Sequence, residues 1–430
     1  MSKLKRTNIC ELNKEMDGKS VLLKAWAADV RDLAKIKFLL LRDATGRVQS
    51  IALKDSVDES LFKAIGKIHP ESCVEIEGKV VANEQAKQGF EVAITKCIVL
   101  SDAEVPLPVD TSPKSQTHID TRLDNRFLDF RRDKTAAIFK IQSEISMSFR
   151  EYFKNLNFIE IQPPSIIGSS SEGGTELFEA KYFEKKAYLA QSPQLYKQMC
   201  AVSIERVFTI TPVWRAEKHN TPRHLNESRQ MDIEVAFTDQ MEIMKYMEDV
   251  VPYMVKQIKK NCSDSLEILG VDLKVPKAKY LSYAETIDLL VKNGIKLKQG
   301  DDLTPEAEEK LGKLFPDDLV FVHSWPSEIK PFYIWPEGKG VSAGFDALYK
   351  GMEISSGGQR VHDPEVLIKQ LKDKGLDPKD FESYIAAFRY GAPYHSGWSI
   401  GLERFTMLVC GLDNIREACL FPRDRDRLTP

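Results

Sequence analysis

Hydrophobic and polar positions alternate with period two through most of the first hundred residues. Val21 to Val30 reads as a strand, and Ile36 to Leu41 and Val48 to Leu53 read as two more around Asp43-Ala44-Thr45-Gly46, a hairpin turn. Glu59 to Ile68 changes to helical spacing, and Cys73 to Val81 and Phe90 to Val99 return to alternation. Five strands with a helix after the third are the order of an OB-fold barrel, expected over residues 1–102. Pro106, Pro108 and Pro113 among Asp and Ser then mark residues 103–133 as a linker or hinge.

The period differs in residues 134–430, which read as a second domain. Lys134 to Leu156 carries Ile138, Ile141, Ile145, Phe149, Phe153 and Leu156 on one helical face, and Phe158 to Ile166 follows as a strand broken by Pro163-Pro164. Ser169 to Thr175 is a small-residue loop around Glu172, Gly173 and Gly174. Phe208 to Phe237 reads as two antiparallel strands joined by a long charged loop. Met244, Met247, Val251, Met254 and Val255 give Met241 to Ile258 an apolar helix face, expected to be core. Residues 262–331 are the least legible, with helix candidates near Ala284 to Val291 and Pro305 to Leu314. The fold class expected is α+β, a five-stranded barrel followed by an antiparallel sheet flanked by helices.

One strand pair breaks the rule that a sheet buries apolar residues. Arg215, Glu217, Asp232 and Glu234 can share a face, because side chains two apart along a strand point the same way. Unpaired charges there would be costly to bury. Either the face is solvated and laced with cross-strand ion pairs, or it holds a polyanion and a cation: Arg215 and Arg223 for phosphates, Asp232 for an ammonium.

Composition narrows the partners. The chain has 430 residues, 42% hydrophobic and 29% charged, with net charge -3. A nucleic acid therefore has to meet a local basic patch and not a globally cationic chain. No run approaches membrane-spanning length, and the start of the chain lacks a signal-peptide pattern. Seven scattered cysteines without a Cys-x-x-Cys pair read as reduced packing thiols of a cytoplasmic protein, with no zinc site.

The string Arg215-Ala216-Glu217 followed by Arg223-His224-Leu225-Asn226-Glu227 resembles motif 2 of class II aminoacyl-tRNA synthetases, in the form of their aspartyl/asparaginyl branch. The helix and Pro-terminated strand at Lys134 to Ile166 resemble motif 1, the homodimer interface of that family. Gly401-Leu402-Glu403-Arg404 resembles motif 3. Gln191 to Gln198, QSPQLYKQ, and the ending LFPRDRDRLTP resemble the aspartyl branch in particular, and the missing bacterial-type insertion makes the chain similar to its archaeal type.

The resemblance implies a set of roles. Glu172, Gln194, Lys197, Arg215, Asp232, Ser356 and Arg360 would bind aspartate, with Lys197 and Arg360 on its side chain and Glu172, Gln194 and Asp232 on its ammonium. Arg215, Glu217, Arg223, His224, Leu225, Glu353, Gly401, Leu402, Glu403 and Arg404 would bind ATP. Glu353 and Ser356, with Asp346 beside them, would hold Mg²⁺, a hard cation that uses few protein oxygens plus phosphates. In the barrel, Arg31, Phe38 and Gln49 would contact anticodon bases. By pattern alone Phe38 is better read as core with polar surface neighbours, and it is the resemblance that turns the reading to base contact.

The expected reaction is aspartyl transfer to tRNA(Asp) in two steps through aspartyl-adenylate. Whether tRNA(Asn) is also charged tracks two barrel positions in the family, here Ala28 and Lys87; Lys87 resembles the strict form and Ala28 neither form, which leans toward strict. Competing readings are an asparaginyl enzyme, a non-catalytic paralogue that binds tRNA or amino acid, and a relative that amidates aspartate. Tyr394, Ser396, Trp398 and Ser399 stand where relatives more often carry Pro, Gly, Phe and Gly, and Pro222 replaces a commoner Thr.

Overall fold

The computed structural model describes residues 4–112, 115–168 and 177–430. Its chain divides into two units, Met1–Leu128 and Asp129–Pro430.

The first unit is a closed barrel of β1 (Ser20–Asp32), β2 (Ile36–Arg42), β3 (Arg47–Leu53), β4 (Cys73–Ala82) and β5 (Phe90–Ser101), in the order β1-β2-β3-β5-β4. Alternation explains it: Val21, Leu23, Ala25 and Ala27 turn inward to meet Leu39, Leu41, Val74, Ile76 and Val92. The helix α1 (Glu59–Ile65) plugs one end with Phe62 and Ile65. It is three residues shorter than the spacing predicts, because past Ile65 the chain tightens to i−3 bonds, from the Lys67 N–H to the Ala64 carbonyl and from the Ile68 N–H to the Ile65 carbonyl.

The second unit is built on an eight-stranded sheet. Its strands are β6 (Ile159–Glu160), β7 (Arg206–Trp214), β8 (Glu227–Ala236), β9 (Ala278–Ser282), β10 (Leu319–His323), β11 (Gly344–Tyr349), β12 (Met352–Gln359) and β13 (His395–Gly401). The order is β9-β10-β11-β12-β13-β8-β7-β6. The expected antiparallel sheet holds from β10 to β7, but both edge pairings, β9 with β10 and β6 with β7, are parallel. The strand expected from Phe158 to Ile166 shrinks to two paired residues, since Pro163 and Pro164 cannot donate to a ladder and the chain leaves for a small three-stranded sheet at Ile166–Ile167.

One face of this sheet is the core. The helices α2 (Asp133–Asn155) and α4 (Gln240–Asn261) bury Ile141, Ile145, Phe149 and Phe153 from one, and Met244, Met247, Val251, Met254 and Val255 from the other, against Met231, Ile233, Trp398 and Ile400. The methionine face is core, as its spacing implies. Each fully buried side chain of this size stabilises the unit by about 1.5–3 kcal/mol. Period two then sends the intervening residues, Asp232, Glu234 and Ser399, to the opposite face. That face is edged by α3 (Gln194–Ile204), α5 (Pro305–Leu314) and α6 (Glu382–Phe388), while α7 (Leu402–Val409) packs with α2 on the core side and brings only its first turn to the cavity.

Candidate active site

The polar face of the sheet begins at the β7–β8 pair. Thr209 lies opposite Asp232 and Thr211 opposite Gln230. The pairing runs past the end of β7: the Arg215 N–H donates to the Asn226 carbonyl at 2.9 Å. The Asn226 side chain donates back to the carbonyls of Arg215 and Glu217 at 2.7 and 3.0 Å, so the charged loop leaves the sheet in a fixed direction. Within the loop the His224 ring meets the Thr221 hydroxyl at 2.6 Å, and Pro222 contributes its carbonyl to the Ile415 N–H.

A cavity of about 300 Å³ opens over this face. Of the residues singled out in the sequence, Gln194, Arg215, Glu217, Arg223, His224, Leu225, Asp232, Glu353, Ser356, Arg360, Gly401, Glu403 and Arg404 line it. Lys197 lies beneath its floor, bonded to the lining residue Asp232. Leu402 does not line the cavity; its side chain turns into the core beside Phe405. Glu172 lies outside the described residues.

The floor is a buried charge network. The Lys197 ammonium donates to Asp232 Oδ1 at 2.7 Å and lies 3.4 Å from Glu234 Oε2, while Arg360 Nε donates to Glu234 Oε1 at 2.9 Å. All four side chains are at most 2% exposed. Burial raises the Asp232 carboxyl above its ordinary range against the opposing pull of Lys197. Burial acts on Glu234 too, but Arg360 and then Lys197 outweigh it and hold that carboxyl below its ordinary range. Ser399 completes Asp232 by donating to its Oδ2 at 3.0 Å. Gly397 leaves the room for Glu234, because a Cβ there would collide with the Glu234 carboxylate and the Ile233 carbonyl.

The second half of the cavity is anionic on one side. Glu353 and Ser356 are three apart on β12, which a regular strand would place on opposite faces. A bulge between the pairs Ala347–Ser355 and Leu348–Glu353 inserts Ile354 and brings both to the cavity. Burial and then the nearby Asp346 push the Glu353 carboxyl up to about 7. Asp346 is itself held by Lys330 at 2.6 and 2.7 Å, and lines an adjoining cavity of about 280 Å³ with Glu308 and Arg223. Arg404 is set by a 2.8 Å bond from its guanidinium to the Glu353 carbonyl. Glu403 is 2% exposed and accepts from the Arg229 N–H at 2.9 Å. No group of three or more His, Cys, Asp or Glu side chains among the described residues is arranged to hold a metal alone. The donors that do meet at this cavity, the Glu353 carboxyl, without an ion-pair partner among the described residues, and the Ser356 hydroxyl, fit a hard cation that arrives with its own phosphate ligands. Gln230 adds a buried side-chain oxygen with no partner at the cavity wall.

The sequence missed several members of this site. Glu234 was read as part of a charged strand face without a role. Gln198, His395 and Tyr384 form a buried hydrogen-bonded group beside Gln194. Gln194 and Gln198 stand four apart on α3, the one spacing that could have joined them. Lys330 and Glu308 come from the least legible stretch, where no motif marks them.

In the first unit, Arg31 is paired with Phe38 across β1 and β2, and Gln49 lies opposite Leu40, two residues from Phe38 on the same face. All three therefore stand on one outer surface of the barrel. Gln49 Nε2 donates to Glu91 Oε2 at 2.8 Å, and Arg31 is exposed beside Asp29. Ala28 occupies the β1 bulge between Ala27 and Asp29, and Lys87 is exposed in the β4–β5 turn.

Residues 118–425 match the model of the class II tRNA synthetases (D, K and N), and residues 21–100 match that of the OB-fold nucleic acid binding domain. The chain belongs to the class II tRNA synthetases of the D, K and N group. Members of this family use ATP, and the chain is a ligase of that family. Among curated relatives, the aspartate–tRNA(Asp/Asn) ligase of Methanocaldococcus jannaschii is 45% identical over 434 residues, 100% of this chain and 99% of the relative. That of Methanopyrus kandleri is 45% identical over 99% of this chain and 100% of its own. Among solved structures, an asparaginyl-tRNA synthetase from Pyrococcus horikoshii with asparaginyl-adenylate superposes with TM-score 0.95 at 37% identity, covering 99% of this chain and 100% of its own. An aspartyl-tRNA synthetase from Entamoeba histolytica gives 0.90 at 36% identity, covering 99% and 93%. The synthetase fold is thus shared by aspartyl and asparaginyl enzymes.

Proposed function

We propose that the chain is an aspartate–tRNA ligase. The observation that carries this reading is Arg360, a buried cation on the floor of the cavity, with a second, Lys197, directly beneath the lining residue Asp232. Arg360 uses Nε and Nη2 on Glu234, and its Nη1 makes no hydrogen bond among the described residues, although Arg360 lines the cavity. An aspartate side-chain carboxylate gives that edge and Lys197 a shared anion. Asparagine offers an amide there, which brings a second donor to a guanidinium edge that only donates, and sites of this kind discriminate by roughly 10⁴-fold. The names of the archaeal relatives agree with this choice.

In the first step the aspartate α-carboxylate attacks the α-phosphate of ATP and pyrophosphate leaves, forming aspartyl-adenylate. Arg215 neutralises the α-phosphate where charge develops. Arg404 and Arg223 take the far end of the triphosphate, and Glu217, His224 and Leu225 line the nucleotide's place. Gln194 and Asp232, with Glu172 from outside the described residues, hold the ammonium. Glu353, Ser356 and Asp346 would hold Mg²⁺, which supplies further neutralisation of the phosphates when bound. In the second step the 3′-hydroxyl of the terminal adenosine of tRNA attacks the aspartyl carbonyl and AMP leaves. The protein's part in both steps is positioning and charge stabilisation.

On the tRNA, the outer barrel surface with Arg31, Phe38 and Gln49 receives unstacked anticodon bases. Lys87 favours tRNA(Asp) alone, whereas the relatives' names favour tRNA(Asp) and tRNA(Asn). A homodimer in the cytoplasm completes the reading; the exposed apolar side chains Met147 and Ile159 on the motif 1 elements support the dimer. No helix among the described residues is long and apolar enough to cross a membrane. The test is charging of tRNA(Asp) and tRNA(Asn) transcripts with labelled aspartate. Attachment to tRNA(Asp) is expected, attachment to both supports the relatives' dual specificity, and attachment to neither overturns the reading.

A further inference from the structure

Gln194 enters the cavity from the first turn of α3, and a glutamine amide can present either a carbonyl oxygen or an NH₂ group. Which one faces the cavity is decided by a chain of buried groups behind it. His395 Nδ1 lies 3.0 Å from the Pro393 carbonyl, which only accepts, so Nδ1 carries the proton. Burial drives the imidazole's pKa down to about 4, which keeps it neutral at physiological pH. Its Nε2 therefore has a lone pair and accepts from the amide nitrogen of Gln198 at 3.0 Å. That turns the Gln198 carbonyl oxygen away from the ring. This oxygen accepts from the Tyr384 hydroxyl at 2.9 Å and from Gln194 Nε2 at 2.8 Å. The Gln194 nitrogen is thus committed inward. Its carbonyl oxygen is left for the cavity.

The chain is rigid as well as directional. His395 and Gln198 are 0% exposed, Tyr384 1% and Gln194 6%. The His395 ring stacks on Phe388 at 5.6 Å between centroids with 12° between planes. Tyr384 and Phe388 sit on one side of α6 and come from a part of the sequence with no motif. A buried hydrogen-bonded group of this sort is costly to leave half satisfied, so reversing one amide would disturb all four members.

We propose that His395, Gln198 and Tyr384 are positioning residues that lock the Gln194 amide with its carbonyl oxygen toward the amino-acid site, where it accepts from the α-ammonium of the substrate. This rests on the reading of the cavity as an aspartate site. An ammonium has only donors, so an amide turned the other way would set NH₂ against it. The lock selects for an amino acid over the same dicarboxylate without its amine. It acts on amino-acid binding and not on ATP.

The experiment is a double-mutant cycle read by aspartate-dependent ATP–pyrophosphate exchange. The variants are Gln194→Ala, His395→Phe, which keeps the stacked ring, and the double; Tyr384→Phe, alone and with Gln194→Ala, repeats the cycle with a milder change should His395→Phe not fold. His395→Phe is expected to raise the KM for aspartate about tenfold, the scale of one misplaced buried hydrogen bond, and Tyr384→Phe about threefold. The KM for ATP stays within about twofold. Each double variant is no worse than Gln194→Ala alone, because the lock has nothing left to orient. Effects that multiply in the double variants overturn the proposal. So do an unchanged KM for aspartate, or a KM for ATP that rises in parallel, which is the mark of a merely structural role. Wild-type protein that shows no exchange with aspartate overturns the function itself.

Discussion

Arg360 and Glu234 meet across 2.9 Å at the floor of the cavity, with the guanidinium 2% and the carboxylate 0% exposed. Neither can lose the other cheaply, since removing one partner of a buried pair leaves an uncompensated charge. The pair therefore stands at the proposed amino-acid site and also ties β8 to the residue that follows β12.

The two roles separate by mutation. Arg360→Leu is expected to lower kcat/KM for aspartate at least about 100-fold and to lower the Tm, because Glu234 is stranded. Adding Glu234→Gln to that variant removes the stranded charge and restores most of the Tm, while aspartate activation stays lost. Thermal melts beside exchange assays check it; recovery of activity together with the Tm would show that Arg360 serves stability alone.

A smaller effect is expected at Ser399, whose hydroxyl holds Asp232 Oδ2 at 3.0 Å. Ser399→Ala removes one hydrogen bond from a buried carboxylate and should raise the KM for aspartate about 3- to 10-fold with little change in the KM for ATP. Steady-state kinetics with each substrate varied in turn measures this.

This residue also shows where the sequence was legible. The charged strand face, the glycine-bounded strings and the spacing of Glu353 and Arg360 lie in continuous segments, so their partners are predictable from alternation and resemblance. The barrel order follows for the same reason, from one period-two run after another. Ser399 was noticed only as a departure, and its bond to Asp232 depends on the β8–β13 register, which no local pattern states. The facing of Glu353 and Ser356 depends on a bulge that alternation argues against. Glu308 and Lys330 reach the site from amphipathic or irregular stretches whose apolar spacing serves packing. His395, Gln198 and Tyr384 are legible only once three distant segments are brought together.

Stability carries a pH signature from Glu403, a buried carboxyl raised from 4.5 to about 7 by burial. Between those two values the folded protein keeps a proton that the unfolded chain has lost. The contribution of Glu403 to stability is accordingly greatest on the acid side of this window and declines as pH rises from about 4.5 through 7. Glu403→Gln, whose amide oxygen can still accept from the Arg229 N–H, is expected to flatten that decline. The Tm of both proteins between pH 5 and 8 reads it directly, and an equal slope in the two would rule Glu403 out as its source.

The barrel gives an expectation independent of the cavity. Gln49 is held by Glu91, itself bonded to Asn83 Nδ2 at 2.9 Å, so its amide is fixed on the surface that carries Phe38. Gln49→Ala is expected to raise the KM for tRNA about tenfold, the scale of one lost base contact, and to leave tRNA-independent exchange at the wild-type rate. A fall in both would place the effect on folding and not on tRNA.

The most direct measurement is ATP–pyrophosphate exchange by the wild-type protein with Mg²⁺, with aspartate and asparagine run side by side. Lys197 and Arg360 around one carboxylate predict exchange with aspartate and a specificity over asparagine of roughly 10⁴-fold. Exchange with asparagine at a comparable rate would contradict the account, because the buried cations would then not be choosing the substrate.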